Sequence, residues 1–446
     1  MNFEKQLKFP KLAVYSENDD YIIHNYSLNS WVVLNPYQYE IAAKIIYDRK
    51  KPLELTNDYE QIEVRKVLGK LLLYKIGYHG ELPKEYAAYE KRVAQPIDAK
   101  PPKSVYFVTT YKCNLNCIYC YAESSPERSM EGDLTTQEAK EMIQQIKDLG
   151  AKIIVFTGGE AFLRKDLIEL MSFGKQIGLK VNVITNGSFI TNKEKAKKVA
   201  ELTTLVTVSL DSLNKEEHEI NRGKGSWLKA KNAIEFLLEA GCSLRINQQL
   251  TKHTLHSVDD MIDYASQNDI DLRVVPISGL GRGKIGDHEL TFTQRKSIED
   301  KLLDLYDESE PDHESCQAAG VNQFEHKRSC GHGVGEFSID SKGNVFPCKL
   351  MHHPMFHAGN IRNRELKTIW ETSKVFKDSR KRTVHALPDC KSCTFKESCA
   401  GACRAIQWED TGKVDGTNHN NCTFIRRNIR KQMWGYFRKN KRNEFV

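Results

Sequence analysis

Short apolar runs divide the chain into stretches of different rhythm. Between residues 10 and 95 the runs "KLAVYS", "YIIHNY" and "WVVLN" come first, and two longer segments come after them, "PYQYEIAAKIIYDR" from Pro36 and "DYEQIEVRKVLGKLLLYKIGY" from Asp58. The second of these repeats its apolar residues at three- and four-residue intervals, the period of a helix with one buried face. That order predicts a module of about 85 residues, three strands followed by helices, within a first domain spanning 1–95. A linker rich in Pro and Lys, "AQPIDAKPPK", separates this module from the next region of the chain.

From Ser104 the rhythm becomes strand and helix in alternation. The runs "SVYFVTT", "KIIVFT", "KVNVIT", "LVTVSL", "SLRINQQL" and "LRVVPI" are separated by helical patterns, one of which opens with a capping box, Thr135 with Glu138. Six strands rich in Val and Ile with helical crossovers predict an α/β domain over 102–290, a parallel sheet either open or curled into part of a barrel. In such folds the chemistry sits at the carboxyl ends of the strands. After about Leu290 the alternation stops. Residues 291–422 read as loop-rich, hold eight of the twelve cysteines, and need bound metal to supplement a hydrophobic core.

The net charge of +7 is localised. Residues 423–446 carry eight Lys or Arg and one acid, so the first 422 residues are neutral overall and the excess belongs to a closing amphipathic helix or tail. Nucleic acid is therefore not expected as a partner. The start has no apolar run of signal-peptide length and no segment approaches 18 apolar residues, so the expectation is a cytoplasmic protein without a membrane span. In a reducing compartment twelve cysteines are metal ligands or catalytic groups sooner than disulfides.

Three of them crowd the loop after the first barrel strand, "YKCNLNCIYCYAESS": Cys113, Cys117 and Cys120. Three thiolates occupy three irons of a four-iron cluster and leave one iron open to another ligand. The spacing, with Tyr119 just ahead of the last cysteine, resembles the signature of the radical S-adenosylmethionine enzymes, and later strand ends continue the likeness. "TGGE" closes the second strand with Gly158, Gly159 and Glu160, "TNG" the third with Asn186, and "SLDS" the fourth with Ser209 and Asp211, while Arg222 comes next in "NRGKGS". The resemblance implies a partial (β/α)6 barrel and S-adenosylmethionine held on the open iron. It implies that Gly158, Gly159 and Glu160 receive the methionine amino group, that Ser209 and Asp211 contact the ribose and carboxylate, and that Arg222 serves the carboxylate.

The remaining cysteines are similar in spacing to the SPASM extension of that family. Cys330 is followed by Gly343 and Cys348, then by Cys390, Cys393, Cys399, Cys403 and Cys422. The likeness implies two auxiliary clusters, making three [4Fe-4S] clusters in all. Cys390, Cys393, Cys399 and Cys422 would close one cluster, and Cys330, Cys348 and Cys403 would hold the other with one iron short of a thiolate. "CGHGVGE" supplies no further cysteine, so that site is open for a substrate thiol unless Cys316 reaches it. Two zinc ions held by the same cysteines are the alternative. Cys242 reads as a core residue, and the histidines of "MHHPMFH" as a partly exposed loop.

Residues 10–95 also match in outline the peptide-recognition domains similar to pyrroloquinoline-quinone protein D, winged-helix-like units that pair a strand edge with a leader peptide. The whole chain is thus similar to peptide maturases with SPASM domains, and most to those of sactionine bacteriocins of the subtilosin type. That likeness implies a 5′-deoxyadenosyl radical, a ribosomally made precursor peptide with a leader, a thioether between a cysteine sulfur and a carbon, and an electron donor such as flavodoxin or ferredoxin. The rivals are another radical reaction on a peptide, a carbon–carbon crosslink or formylglycine, and a noncatalytic metal-stabilised peptide-binding scaffold.

Overall fold

The structure is a computed structural model in which residues 2–285, 288–308 and 324–443 are described. Cys316, one candidate for the open auxiliary iron, lies outside the described residues.

The first 93 residues form a three-stranded antiparallel sheet, β1 (Leu12–Glu17), β2 (Asp20–Asn25) and β3 (Ser30–Leu34), followed by α1 (Pro36–Ile46), α2 (Pro52–Leu55), α3 (Gln61–Leu73) and α4 (Lys84–Val93). The β1–β2 hairpin turns on Asn18 and Asp19, both with positive φ, as the two-residue turns that match strand twist require. Asn35 caps α1, its Oδ1 accepting from the Gln38 amide at 2.8 Å, and Pro36 sits at the first helical position, where its missing N–H costs nothing.

Because strand side chains alternate, this sheet feeds two cores. Ile23, Val32 and Leu34 face Ile41, Ile45, Val64, Val67, Leu68 and Leu71 of α1 and α3. Ile22, Trp31 and Val33 face the other way, onto Phe395, Ile429, Met433 and Trp434 near the carboxyl end of the chain. Trp31 is fully buried there. The module is thus bolted to the cysteine-rich region despite its Pro-rich linker.

The central sheet contains the six expected parallel strands in chain order: β4 (Ser104–Val108), β5 (Ile153–Thr157), β6 (Lys180–Thr185), β7 (Leu205–Ser209), β8 (Leu244–Leu250) and β9 (Asp271–Pro276). The crossovers are α5 (Thr136–Asp148), α6 (Leu167–Gln176), α7 (Lys193–Leu202), the pair α8 (Lys215–Arg222) and α9 (Ser226–Glu239), and α10 (Val258–Gln267). Their apolar faces pack on the strands in one continuous core, to which the partly buried Cys242 contributes. Thr135 and Glu138 form the expected capping box.

Beyond Leu290 the chain is more ordered than its pattern suggests. After α11 (Phe292–Glu308), three short strands, β10 (Glu336–Ile339), β11 (Asn344–Phe346) and β12 (Gly359–Asn360), extend the same sheet to nine. β10 pairs in parallel with β4, so the edge strand of the barrel is covered instead of exposed. Then come α12 (Leu366–Thr372), α13 (Lys374–Lys381), α14 (Lys396–Cys399), α15 (Arg404–Thr411) and α16 (His419–Asn443). Leu366, Ile369, Trp370 and Phe376 of α12 and α13 join the main core.

The basic closing stretch is not a solvated tail over its described part. α16 begins before Cys422, buries Phe424, Ile429, Met433 and Trp434, and sets Arg427 and Lys431 on Asp300 of α11. Part of its positive charge is therefore met inside the molecule. No described helix is long and apolar enough to cross a membrane.

Candidate functional site

The loop after β4 is held by backbone before any ligand is considered. The Cys113 amide donates to the Ser125 carbonyl (3.0 Å), and the amides of Gly159 and Glu160 donate to the carbonyls of Thr110 (2.8 Å) and Lys112 (3.0 Å). A Cβ on Gly159 would stand 2.2 Å from the Lys112 oxygen and one on Gly158 2.5 Å from that of Thr110, so only glycine lets the β5 end press against the cysteine loop. Arg282, in the turn after β9, completes the frame. Its Nε donates to the Cys117 carbonyl (2.9 Å) and its Nη2 to that of Ser124 (2.8 Å).

One cavity at these strand ends is lined by Cys113, Cys117 and Cys120 together with Tyr119, Gly158, Gly159, Asn186, Ser209 and Arg222. The sequence expectations place two further residues there, and the structure turns both inward. Glu160 is fully buried, its Oε1 accepting from the Thr185 hydroxyl (2.7 Å) and the Phe162 amide (3.1 Å), its Oε2 from the Asn186 amide (2.8 Å). It ties the end of β5 to that of β6, and burial raises its pKa.

Asp211 is also fully buried. It accepts from the Tyr119 hydroxyl (2.5 Å), Asn221 Nδ2 (3.2 Å), Arg222 Nη2 (2.8 Å) and the Gln249 amide (3.1 Å). Burial alone would raise its pKa, but the Arg222 guanidinium beside it outweighs that and holds the carboxyl below its ordinary range. A buried carboxylate needs such donors, which is why both acids act through their neighbours.

Arg222 lies over the Tyr119 ring, 5.4 Å from its centroid, and its buried Nε has no hydrogen-bond partner in the structure. A cavity wall that presents three thiols, an exposed backbone at two glycines and a buried cation with a spare N–H suits an iron cluster carrying an amino-acid ligand. Burial pushes the thiols of Cys113 and Cys117 up to about 12 and about 11, so they stay protonated until a metal displaces the proton. Sequence reasoning gave no site role to Arg282, although "GRGK" after the sixth strand belongs to the likeness, or to Lys349, and both line this cavity. Lys349 adjoins a cysteine of the second group, and that adjacency was the available signal.

The carboxyl-terminal thiols gather in two groups. Cys390, Cys393, Cys399 and Cys422 line a single cavity of about 320 Å³. Cys330, Cys348 and Cys403 stand close enough that charge on Cys403 and Cys330 raises the Cys348 pKa, which burial first of all pushes up to about 12. Among the described residues no three His, Cys, Asp or Glu side chains converge as ligands of one metal ion. The four-cysteine group surrounds a space, and its sulfur donors suit iron in a cluster as well as zinc. In the "MHHPMFH" loop His353 and His357 are exposed, whereas His352 bridges the Tyr111 and Ser338 hydroxyls.

Comparison with known families matches residues 107–267 to the radical SAM superfamily and residues 330–394 to the SPASM iron–sulfur cluster-binding domain. The chain is an enzyme of the radical SAM/SPASM kind, built on S-adenosylmethionine-binding and iron–sulfur domains. Among its relatives are the AdoMet-dependent heme synthase of Methanosarcina barkeri, 28% identical over 70% of this chain and 93% of the relative, and the mycofactocin maturase MftC of Mycolicibacterium smegmatis, 29% identical over 69% and 79%. Two solved structures share the fold. SuiB of Streptococcus suis bound to S-adenosylmethionine has a TM-score of 0.58 at 16% identity and covers 93% of this chain and 99% of its own. The anSMEcpe structure with bound AdoMet has a TM-score of 0.61 at 20% identity, covering 77% and 100%.

Proposed function

We propose that this chain is a maturase of a ribosomally made peptide, joining a cysteine sulfur to a carbon of another residue. The observation that carries the reading is that one cavity is shared: Lys349, next to Cys348 of the auxiliary trio, lines the same space as Cys113, Cys117 and Cys120. Lys349 brings the wall of that cavity to within one residue of the auxiliary trio, whose own cysteines do not line it.

In this reading Cys113, Cys117 and Cys120 hold the first [4Fe-4S] cluster. Cys330, Cys348 and Cys403 hold one auxiliary cluster and Cys390, Cys393, Cys399 and Cys422 the other, three in all. The backbone at Gly158 and Gly159 with Asn186, Ser209 and Arg222 holds S-adenosylmethionine, with Arg222 Nε offered to its carboxylate. Tyr119, Glu160 and Asp211 fix those groups in place. S-adenosylmethionine, once reduced by one electron from a flavodoxin or ferredoxin, supplies the 5′-deoxyadenosyl radical that removes a hydrogen atom from a peptide carbon.

The chain's own part is to orient the peptide and keep water out, because a carbon radical attacks whatever is nearest. Forming the carbon–sulfur bond then removes the thiol proton and one further electron, which a cluster held by the carboxyl-terminal cysteines would accept. Residues 10–95 recognise the leader through strand addition. In support, SuiB, whose structures span nearly the whole of this chain, has also been solved bound to its precursor peptide SuiA.

A tetrapyrrole substrate is the second reading, favoured by the heme synthase relatives. Their aligned share leaves about three tenths of this chain unmatched. The deciding experiment incubates anaerobically reconstituted enzyme with S-adenosylmethionine, dithionite and a cysteine-bearing precursor peptide. Deoxyadenosine together with a peptide lighter by two hydrogens and holding one fewer free thiol supports the maturase; a peptide left unchanged while coproporphyrin is oxidised overturns it.

A further inference from the structure

We propose that Lys349 holds the reacting cysteine of the substrate peptide as its thiolate, an inference that rests on the maturase reading above. Three cations line the cavity at the strand ends, Arg222, Arg282 and Lys349, and no Asp or Glu lines it. Two of the three are engaged. Arg222 pairs with Asp211 at 2.8 Å, and Arg282 donates from Nε and Nη2 to the Cys117 and Ser124 carbonyls. The Lys349 ammonium makes no ion pair or hydrogen bond among the described residues; it stands over the Tyr106 ring, 4.2 Å from the centroid.

The other sheltered cations of this molecule are matched. Among the fully buried ones, Arg164 and Arg222 pair with acids, and Arg380, Lys396 and Arg404 donate to backbone carbonyls. A ring face attracts the Lys349 ammonium but does not neutralise it. Burial lowers the Lys349 pKa, charge on Cys348 and Glu336 opposes that, and Arg273 adds to it. A sheltered ammonium without a counter-charge is costly, and an anion placed in the cavity removes that cost.

The position of Lys349 selects the anion. Arg222 is already offered to the carboxylate of S-adenosylmethionine, whereas Lys349 marks the wall that lies within one residue of Cys348 and so of the group with only three cysteines. A peptide sulfur approaching that group meets the ammonium. The thiolate is the nucleophilic and metal-binding form of cysteine. An opposite charge within about 4–6 Å favours it, lowering an ordinary thiol pKa of about 8.5 by about 1–3 units. The thiol proton then goes to water before the carbon radical forms. Radical and thiolate make the carbon–sulfur bond with one electron left over, which passes to a cluster held by the carboxyl-terminal cysteines. No bond to Lys349 is made or broken.

The test uses the full chain, reconstituted anaerobically, with the cysteine-bearing precursor peptide. Thioether formation is followed from about pH 6 to about pH 9 in the unaltered chain, Lys349→Arg and Lys349→Met at equal iron per chain. Lys349→Met is expected to be about tenfold slower at pH 7 and to recover by about pH 9, where the peptide thiol ionises unaided, whereas Lys349→Arg keeps the original profile. Profiles that differ by one factor throughout, or not at all, overturn the assignment; a uniform loss that vanishes when the peptide's Asp and Glu are changed to Asn and Gln makes the anion a carboxylate. Loss of auxiliary iron from Lys349→Met makes Lys349 a support of the cluster and overturns it as well. In each of these cases the unaltered chain still forms the thioether and the maturase reading stands. An unaltered chain that forms none overturns both.

Discussion

The three cysteines at the barrel mouth and the four near the carboxyl end are held in opposite ways. Cys113, Cys117 and Cys120 lie on a loop that backbone bonds, two glycines and Arg282 fasten to strand ends over a continuous core. Cys393 and Cys399 instead lie in the seam itself, against Trp31, Phe395, Ile429 and Met433. The first site is a passenger on a finished fold, whereas the second is part of what joins the amino-terminal module to the rest. Metal should therefore be needed for chemistry at one and for cohesion at the other.

The largest effect separates the two. Replacing Cys113, Cys117 and Cys120 by Ala is expected to reduce deoxyadenosine formation to background while changing unfolding stability by no more than about 1 kcal/mol. Cys393→Ala with Cys399→Ala is expected to remove one cluster's worth of iron and to open the linker at residues 94–103 to proteolysis. Equal thermal shifts for the two variants would break the comparison.

Next in size is the seam without its metal. Trp31 is fully buried between the sheet and α16, and Trp31→Ala is expected to cost about 3–5 kcal/mol in denaturant unfolding. An early separate unfolding phase, assigned to the module by hydrogen exchange, would show that the seam is the weak joint. A loss below about 1 kcal/mol would mean that it bears little.

How much of the molecule is legible in its sequence depends on how local each feature is. β5 and β7 show themselves as short apolar runs, because a strand buried on both faces has few polar positions to spare, while β6 and β8 show themselves by alternation of buried and partly buried positions. β10, β11 and β12 have four, three and two residues, and β10 finds its partner in β4 more than two hundred residues upstream, so no window along the chain carries the signal. The cysteines stand out by spacing alone. Arg282 does not, since it meets the Cys117 carbonyl across 165 residues. Glu160 and Asp211 were placed at the right strand ends, but motif position says nothing about which way a carboxylate turns.

Acid should act on the same seam. His24 of β2 is 1% exposed beside Phe395, and burial lowers its pKa from 6.5 to about 4. Between those values the unfolded chain binds a proton that the folded chain does not, so stability falls as pH drops from 6.5 and levels off below about 4. The full loss is about 3 kcal/mol. His24→Phe is expected to flatten this part of the stability curve in urea titrations at pH 7 and pH 5. Parallel curves for the two proteins would place the acid sensitivity elsewhere.

The opposite joint, between barrel and SPASM region, should respond least to a single charge. Arg362 donates to both oxygens of Glu138 (2.6 and 3.0 Å), the residue that closes the capping box of α5 with Thr135. Arg362 holds the Glu138 carboxyl down to about 2, so its contribution is present above the unfolded carboxyl value and is lost only as pH falls toward 2. Both side chains are about one third exposed, and solvent screens the pair. Glu138→Gln keeps part of the cap and is expected to cost about 1 kcal/mol or less at pH 7. Here β10 on β4 and the core around Trp370 carry the attachment. A loss in Glu138→Gln matching that of Trp31→Ala would mean that charge, and not the shared sheet, holds this side of the molecule.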